Sequence, residues 1–525
     1  AGHIPASFFS ALEEQKPSLI VLIGPNHFHR GEGDIITSVR DWQTPYGTLR
    51  TSKKFMSTFV EADLVTVDEE VMSEEHSIYS LMPFIRKSLP DAWVLPFIFR
   101  DDASSSTLDQ FVAELSRILP DDAVIVASID FSHYQTSPVA DFHDELAKSV
   151  IRSFDYDRLS ALETDSTPSL HAFLKLMEAR GAESIAYEIH SNAAKLTGDA
   201  GATNITSYYS PYFVAGERDT SDAVSVLNFG DIMIDRNVKK QIDTYGTDYL
   251  LGKLAGDENR FFRGMDIVSA NLEGPFADSR RPTTKSIAFR FDPGLIPMLQ
   301  QYNFSVFSQA NNHSYDMGSA GFFESKKNLR VAGIDFYGSE FGVNDDSLLI
   351  KQVGHKKVAF IGVNDTHAPI DLDATTALIR RAEAEADMTI MNIHWGEEYK
   401  ELSNARQRFL ARKFIDAGVD AVIGHHPHVV QEVEIYRDRP IFYSLGNFLF
   451  DQYFSIPTQQ GLAVGTVFHE KEISVHLFPL QGRLSQVTLM DHTNADEFMA
   501  ALIDRSRLGT YTFSNFHLSL PQRYE

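Results

Sequence analysis

Six short polar clusters in the second half of the chain carry most of its potential for chemistry. They are Gly230-Asp231, Asn271-Leu272-Glu273, Asn311-Asn312-His313, His394-Trp395-Gly396, the run from Gly424 to His428, and Ser444-Leu445-Gly446-Asn447-Phe448. Nearly all of them follow an apolar run of strand length. Oxygen donors from Asp, Glu and Asn mixed with several imidazoles suit Mn, Fe or Zn, and not Ca or Mg alone. Two ions held this way activate water and neutralise charge on a phosphoryl group. Taken singly the clusters say little. An Asp after a strand is ordinarily a turn or cap residue, and Asn447 after Gly446 is as readily a tight turn as a substrate contact. Their recurrence at one strand end after another carries the reading.

A second, sparser set lies in the first half. His27 and His29 stand in GPNHFHRG, and Glu74-Glu75-His76 precedes SIYSLMPFIRKSL. Asp130 and His133 stand in SIDFSHY, and His190, Asn192 and Asp199 in the polar stretch YEIHSNAAKLTGDAG. Imidazole and carboxylate brought to one pocket are consistent with non-haem iron or copper. Histidines after strands are also often satisfied polar residues, and SEEHS reads equally as an acidic helix start favoured by the dipole. On spacing alone the two readings stand even.

The elements that must position these residues alternate along the chain. PSLIVLIG (17–24), AWVLPFIF (92–99) and AVIVASID (123–130) read as buried strands, with amphipathic helical stretches at 106–119 and 140–154. That alternation predicts an α/β domain with a largely parallel sheet. The polar segment ERDTSD then breaks the pattern, and a second α/β series follows. Its strands are read at 223–230, 265–273, 304–312, 357–365, 388–396, 421–428 and 440–448. In open α/β sheets, side chains at strand carboxyl ends converge on one crevice. The expected division is therefore 1–216, 222–483, and a C-terminal extension or subdomain over 484–525.

Composition narrows the function classes. The chain has 525 residues, too many for one core, and 47 Lys+Arg against 72 Asp+Glu give a net charge of -25. Such a surface repels phosphate backbones and anionic lipid heads, which argues against nucleic acid and membrane surfaces as partners. The absence of cysteine excludes disulfides, thiolate zinc sites and cysteine nucleophiles. No apolar run approaches the roughly 20 residues a spanning helix needs. IPASFFSALEEQ already reads as helix at the start, without an initiator Met, so leading residues such as a signal peptide or anchor are expected upstream.

GDIMIDR, SANLEGP, QANNHSYDMGSAGF, NIHWGEEY, GVDAVIGHHPHVVQ and YSLGNFLFD together resemble the CapA family. That family is associated with poly-γ-glutamate capsule synthesis and belongs to the calcineurin-like metallophosphatase superfamily. The resemblance, over about residues 222–483, implies an α/β sandwich with metal ligands Asp231, Glu273 (bridging), Asn312, His394, His426 and His428. It implies that His313 protonates the leaving group and that His425 is a supporting or loop residue. Met233 stands where the superfamily has a His, and Asn271 and Glu273 where it usually builds on Asp, so one of two metal positions is expected to be altered or empty.

LIGPNHFHRG, WQTPYGTL, DEEVMSEEHSIYSLMPFI and ASIDFSHY are similar to the Memo family, known in prokaryotes as AmmeMemoRadiSam system protein B. That family shares a fold with class III extradiol dioxygenases. By this likeness His27 is a metal ligand, and Glu75, His76, Asp130 and His133 line the pocket. The family's first ligand precedes an Ala-Gly pair, here Ala1-Gly2, which places it upstream of Ala1. Where some members supply a Cys ligand, Asp199 is the substitute. The resulting expectation is a Memo-like domain fused to a CapA-type, hydrolase-like domain. It would act on a phosphoester or anionic polymer at the cell surface or envelope. The alternative is a metal-bearing binding or scaffold protein without turnover.

Overall fold

Runs of consecutive apolar residues form strands covered on both faces, as parallel strands flanked by helices must be. The computed structural model describes residues 2–522; Ala1, the first half of the Ala-Gly pair, lies outside them, as do the last three residues of the 484–525 segment. The chain divides into two compact units. The first holds residues up to Ala140 with Ala147–Thr220, and the second holds Asp141–Leu146 with the residues from Ser221 on.

In the first unit, β1 (Leu19–Pro25), β2 (Trp93–Phe99) and β3 (Val124–Ala127) are parallel, with β1 in the middle. Every residue of β1 is buried. Ile20, Leu22, Val94 and Ile98 join the helices' Met72, Ile78 and Ile85 in one core. Each such side chain stabilises the fold by about 1.5–3 kcal/mol on burial. The stretch YEIHSNAAKLTGDAG is more ordered than a polar loop. His190 lies in the strand Ser184–Asn192, which pairs antiparallel with Ile205–Val214. Asn192 caps the short helix Ala193–Thr197 by accepting from the Lys195 N–H.

The second unit is an α/β sandwich of two sheets. A nine-stranded sheet contains β4 (Val224–Ile232), β5 (Ile267–Leu272) and β6 (Phe304–Ser308), all parallel. A six-stranded sheet contains β7 (Met388–His394) and β8 (Ala421–His425), also parallel. Side chains alternate across each strand. Val224 and Val226 meet Ile390 and Ile423 in the core between the sheets, while Met391 and Ile393 face Leu410 and Phe414 of the helix Ala405–Ala417.

The first sheet continues past β4 through the antiparallel strands β10 (Gln460–Phe468) and β11 (Glu472–Arg483), with the short β9 (Asn447–Leu449) also beside β4. The C-terminal segment belongs to this sheet. Gln486–Leu489 and His517–Pro521 both pair with β11, and the helix α1 (His492–Arg505) runs between them. Among the described residues, no helix is long and apolar enough to cross a membrane.

Candidate metal centres

Strand register brings the second-domain clusters together. Asp231, one residue from the end of β4, stands opposite Asn271 of β5 and Asn447 of β9. His394 and His425, the last residues of β7 and β8, stand opposite each other. The close approach depends on glycine. A Cβ on Gly230 would meet the Gly446 carbonyl oxygen at 2.0 Å, and one on Gly424 would meet that of Tyr443 at 2.0 Å. His426 and His428 both hold left-handed backbone, at φ 97 and 58. Such backbone costs on the order of 1–3 kcal/mol per residue and collects at functional sites.

The ligand-capable atoms of Asp231, Glu273 and His428 all lie within 4.8 Å of one another, and all three residues are buried. His428 Nδ1 is 3.2 Å from Asp231 Oδ2 and 3.0 Å from Asn447 Oδ1. Asn271 Nδ2 donates to Asp231 Oδ1 at 2.8 Å. His425 Nδ1 lies 3.3 Å from the same oxygen but makes no hydrogen bond, and its Nε2 meets Asn392 Oδ1 at 3.1 Å. His394 Nε2 faces Asn312 Oδ1 at 2.7 Å, and the His426 ring lies 4.8 Å from that of His394.

His313 is gripped from behind. Its backbone N–H donates to Asn311 Oδ1 at 3.0 Å, and its Nδ1 pairs with Asp316 Oδ2 at 2.7 Å. That leaves Nε2 toward the centre, 3.8 Å from Glu273 Oε1. Asp316 also accepts from the Phe289 N–H at 2.7 Å and from Lys285 Nζ at 2.9 Å. Neither Asp316 nor Lys285 is among the six clusters; the signal for Asp316 was its place three residues after His313.

Burial alone would raise the Asp231 carboxyl, but His425 and His428 overcome that and hold it well below the usual range. Glu273 goes the other way: burial, then repulsion by Asp231, pushes it well above. Burial, then repulsion by its histidine neighbours, lowers His394 well below the usual imidazole range and His426 to about 3. His394 and His426 are therefore neutral beside an ionised Asp231, while burial favours the protonated form of Glu273. Both Glu273 oxygens and His426 Nδ1 are buried without a hydrogen bond. A buried acceptor left bare is costly, and this donor set with bare oxygen and nitrogen atoms fits a transition-metal ion. Met233 adds no imidazole; it is fully buried, and its sulfur accepts from the Asp235 N–H at 3.3 Å.

The first-domain set closes differently. His27 Nδ1 meets Glu75 Oε1 at 2.7 Å, its Nε2 meets Asp165 Oδ2 at 3.2 Å, and the His76 ring stacks on it at 4.1 Å. Burial opposes a charge on His27, but Asp165 and Glu75 outweigh it and push the imidazole up to about 10. Glu75 also accepts from the Ser77 N–H at 3.0 Å as the cap of the helix His76–Tyr79. Asp130, His133 and Asp165 form a further group that could hold an ion. Burial and repulsion from Asp165 raise the Asp130 carboxyl to about 7, although its side chain is 47% exposed.

Asp199 stands outside these groups. It is exposed after the helix Ala193–Thr197, accepts from the Gly201 N–H at 3.1 Å, and belongs to none of these groups among the described residues. The carboxylate at His27 is Asp165, hidden in the sequence because ETDSTPS reads as a helix cap.

Histidine-and-carboxylate centres on two α/β scaffolds, half-buried in the first and buried in the second, define a two-domain protein with a metal-capable site in each domain. Residues 225–452 match the family described as "Bacterial capsule synthesis protein PGA_cap", and residues 1–223 match "Memo-like protein". The chain is a fusion of a Memo-like domain with a CapA-type domain. Over 253 residues it is 32% identical to the PGA biosynthesis protein CapA of Bacillus subtilis (strain 168), covering 44% of this chain and 65% of that protein. The Bacillus anthracis capsule biosynthesis protein CapA is 31% identical over 254 residues, 44% of this chain and 61% of that protein. A MEMO1 family protein of Metallosphaera sedula is 30% identical over 166 residues, 30% of this chain and 58% of that protein. The chain thus spans less than two thirds of the length of each of these relatives.

Proposed function

We propose that the CapA-type domain is a metal-dependent hydrolase of phosphoesters or of an anionic polymer. It would act in poly-γ-glutamate capsule or envelope metabolism at the cell surface, with the Memo-like domain as a second metal-binding module for iron or copper. The observation that carries the reading is Glu273, a fully buried carboxylate with neither oxygen hydrogen-bonded, between Asp231 and His428. Asp231, Glu273 and His428, with Asn312, His394 and His426 beside them, would hold Mn, Fe or Zn. A bound ion would supply Lewis-acid charge and make water acidic enough to attack near neutral pH.

The protein's own residues supply the rest. As an imidazolium, His313 would hold its Nδ1–H on Asp316 Oδ2 and offer its Nε2 proton to the leaving oxygen. The Phe289 ring packs against His313, with centroids 4.3 Å apart. The test is metal content and phosphodiesterase rate of the intact chain beside His313→Ala. The variant should keep its metal and lose about 10²–10⁴ in rate. An unchanged rate would remove His313 from its role.

Met233 supports a second reading, since a buried thioether stands where an imidazole would complete a two-ion site. A binding module without turnover would retain metal, hydrolyse nothing and be indifferent to His313→Ala.

A further inference from the structure

Helix α1 carries two stripes. Ala495, Phe498, Met499 and Leu502 are buried against the sheet, which is all the fold requires of it. A second stripe, Asn494, Glu497, Ala501 and Arg505 with the edge of Phe498, lines a cavity of about 280 Å³. Its other walls include Val430, Gln460 of β10, Gln481 of β11 and Glu401, and none of the metal-centre residues named above line it. That volume falls just short of the roughly 300 Å³ at which drug-sized ligand sites begin, and so suits a smaller molecule.

Arg505 is the unexplained group. Its Nη2 donates to the Val430 carbonyl at 3.1 Å, but Nε is buried and bonded to nothing. Among the described residues no carboxylate lies within ion-pair distance of it. Burial lowers the guanidinium's proton affinity, and the nearby Glu401 and Glu432 offset that only in part. The edge formed by Nε and Nη2 is thus closed by Val430, and a carboxylate in the cavity would be met by the remaining terminal nitrogen, Nη1. Two exposed acids, Glu401 and Glu497, also line the cavity without ion pairs of their own among the described residues. They repel a multiply charged anion and favour a cationic group beside the carboxylate. Phe498, Met490 and Val430 supply an apolar wall between these poles.

We propose that this cavity binds a free α-amino acid, its carboxylate on Arg505, its ammonium toward Glu401 and Glu497, and its side chain against Phe498 and Met490. The site stands apart from the metal centre and does not depend on the activity proposed for it.

The test is calorimetric titration of the full chain with each of the common α-amino acids. Any binder would then be repeated as its α-amide and as its analogue lacking the amino group. At least one amino acid should bind in the micromolar to low millimolar range, and both analogues should lose about tenfold or more. Arg505→Gln should weaken binding by a similar factor. Because that change also removes the bond to Val430, Ala501→Trp is the companion. It fills the cavity from an exposed helix position and should abolish binding while leaving the melting temperature and metal content unchanged. The proposal is overturned if no amino acid binds, if acetate or inorganic phosphate binds as tightly as the best one, or if binding survives Ala501→Trp.

Discussion

The two metal-capable centres use the same residue types and treat their carboxylates in opposite ways. In the first, Glu75 is fully buried yet satisfied three times, by His27 Nδ1, the His27 N–H and the Ser77 N–H. His27 is already an imidazolium between two acids. In the second, the Glu273 side chain is equally buried and has no hydrogen bond among the described residues, the ring nitrogens of His428 and His313 lying 3.7 and 3.8 Å away. A buried charge needs compensation from somewhere. The first centre finds it within the protein, so an ion there must displace a proton from His27. In the second, burial favours the protonated acid, so an ion there displaces a proton from Glu273 but also satisfies two oxygens that nothing else bonds. Metal should therefore bind far more tightly at Glu273 than at His27.

The largest effect should come from the second centre. Metal at about a thousand times its Kd stabilises by about 4 kcal/mol, a rise of roughly 10 °C in the melting of a domain this size. Glu273→Gln should abolish that rise while leaving the metal-free melting temperature nearly unchanged, because the amide mimics the protonated acid that burial favours. Scanning calorimetry with and without chelator reads both. A variant that melts lower without metal and still gains from it would sink the contrast. Next in size is His27→Ala. It takes the imidazole from the buried Glu75 carboxylate, which keeps its two backbone donors, at a cost of about 2–3 kcal/mol once the partial exposure of His27 is allowed for. Hydrogen exchange at residues 19–27 and 75–79 should report it, and chelation should shift those same amides little.

A smaller effect falls on the proposed hydrolysis. Asp316→Asn keeps an acceptor near Phe289 but weakens the hold on His313 Nδ1. Supporting residues of this kind are worth about tenfold or more, so kcat for a phosphodiester should fall about tenfold with metal content intact. The pH profile of kcat should shift as well, which a merely structural residue would not produce. A variant that loses metal instead would make Asp316 part of the metal scaffold.

The second centre was readable in the sequence because its parts sit where parallel strands end. Asp231, His394 and His425 occupy the last or next-to-last strand positions, and register alone brings them opposite Asn271 and one another. Residues placed by turns and helix starts were harder to see. Asp165 reads as part of a cap, and Asp316 as an ordinary acid in a loop. Glu340, which bonds Lys285 Nζ and His367 Nε2, has no local pattern at all. The strands β10 and β11 and the C-terminal pairings were missed because antiparallel partners far along the chain leave little local periodicity. The polar stripe of α1 looked like any solvated helix face; only the surrounding strands turn it into a cavity.

The smallest expected effect separates the two carboxylates that compete for the place beside His27. Asp199 bonds only its own turn among the described residues, so Asp199→Asn should change stability by less than about 0.5 kcal/mol and leave iron or copper uptake by the Memo-like domain untouched. Asp165→Asn removes one of the two charges that hold the proton on His27. It therefore acts in two directions, loosening the proton that an ion must displace and deleting an oxygen that could bind the ion. Metal titration of the two variants side by side decides between the candidates. Loss of uptake in the Asp199 variant alone would return the ligand role to the exposed turn, where loop movement on metal binding would have to carry it inward.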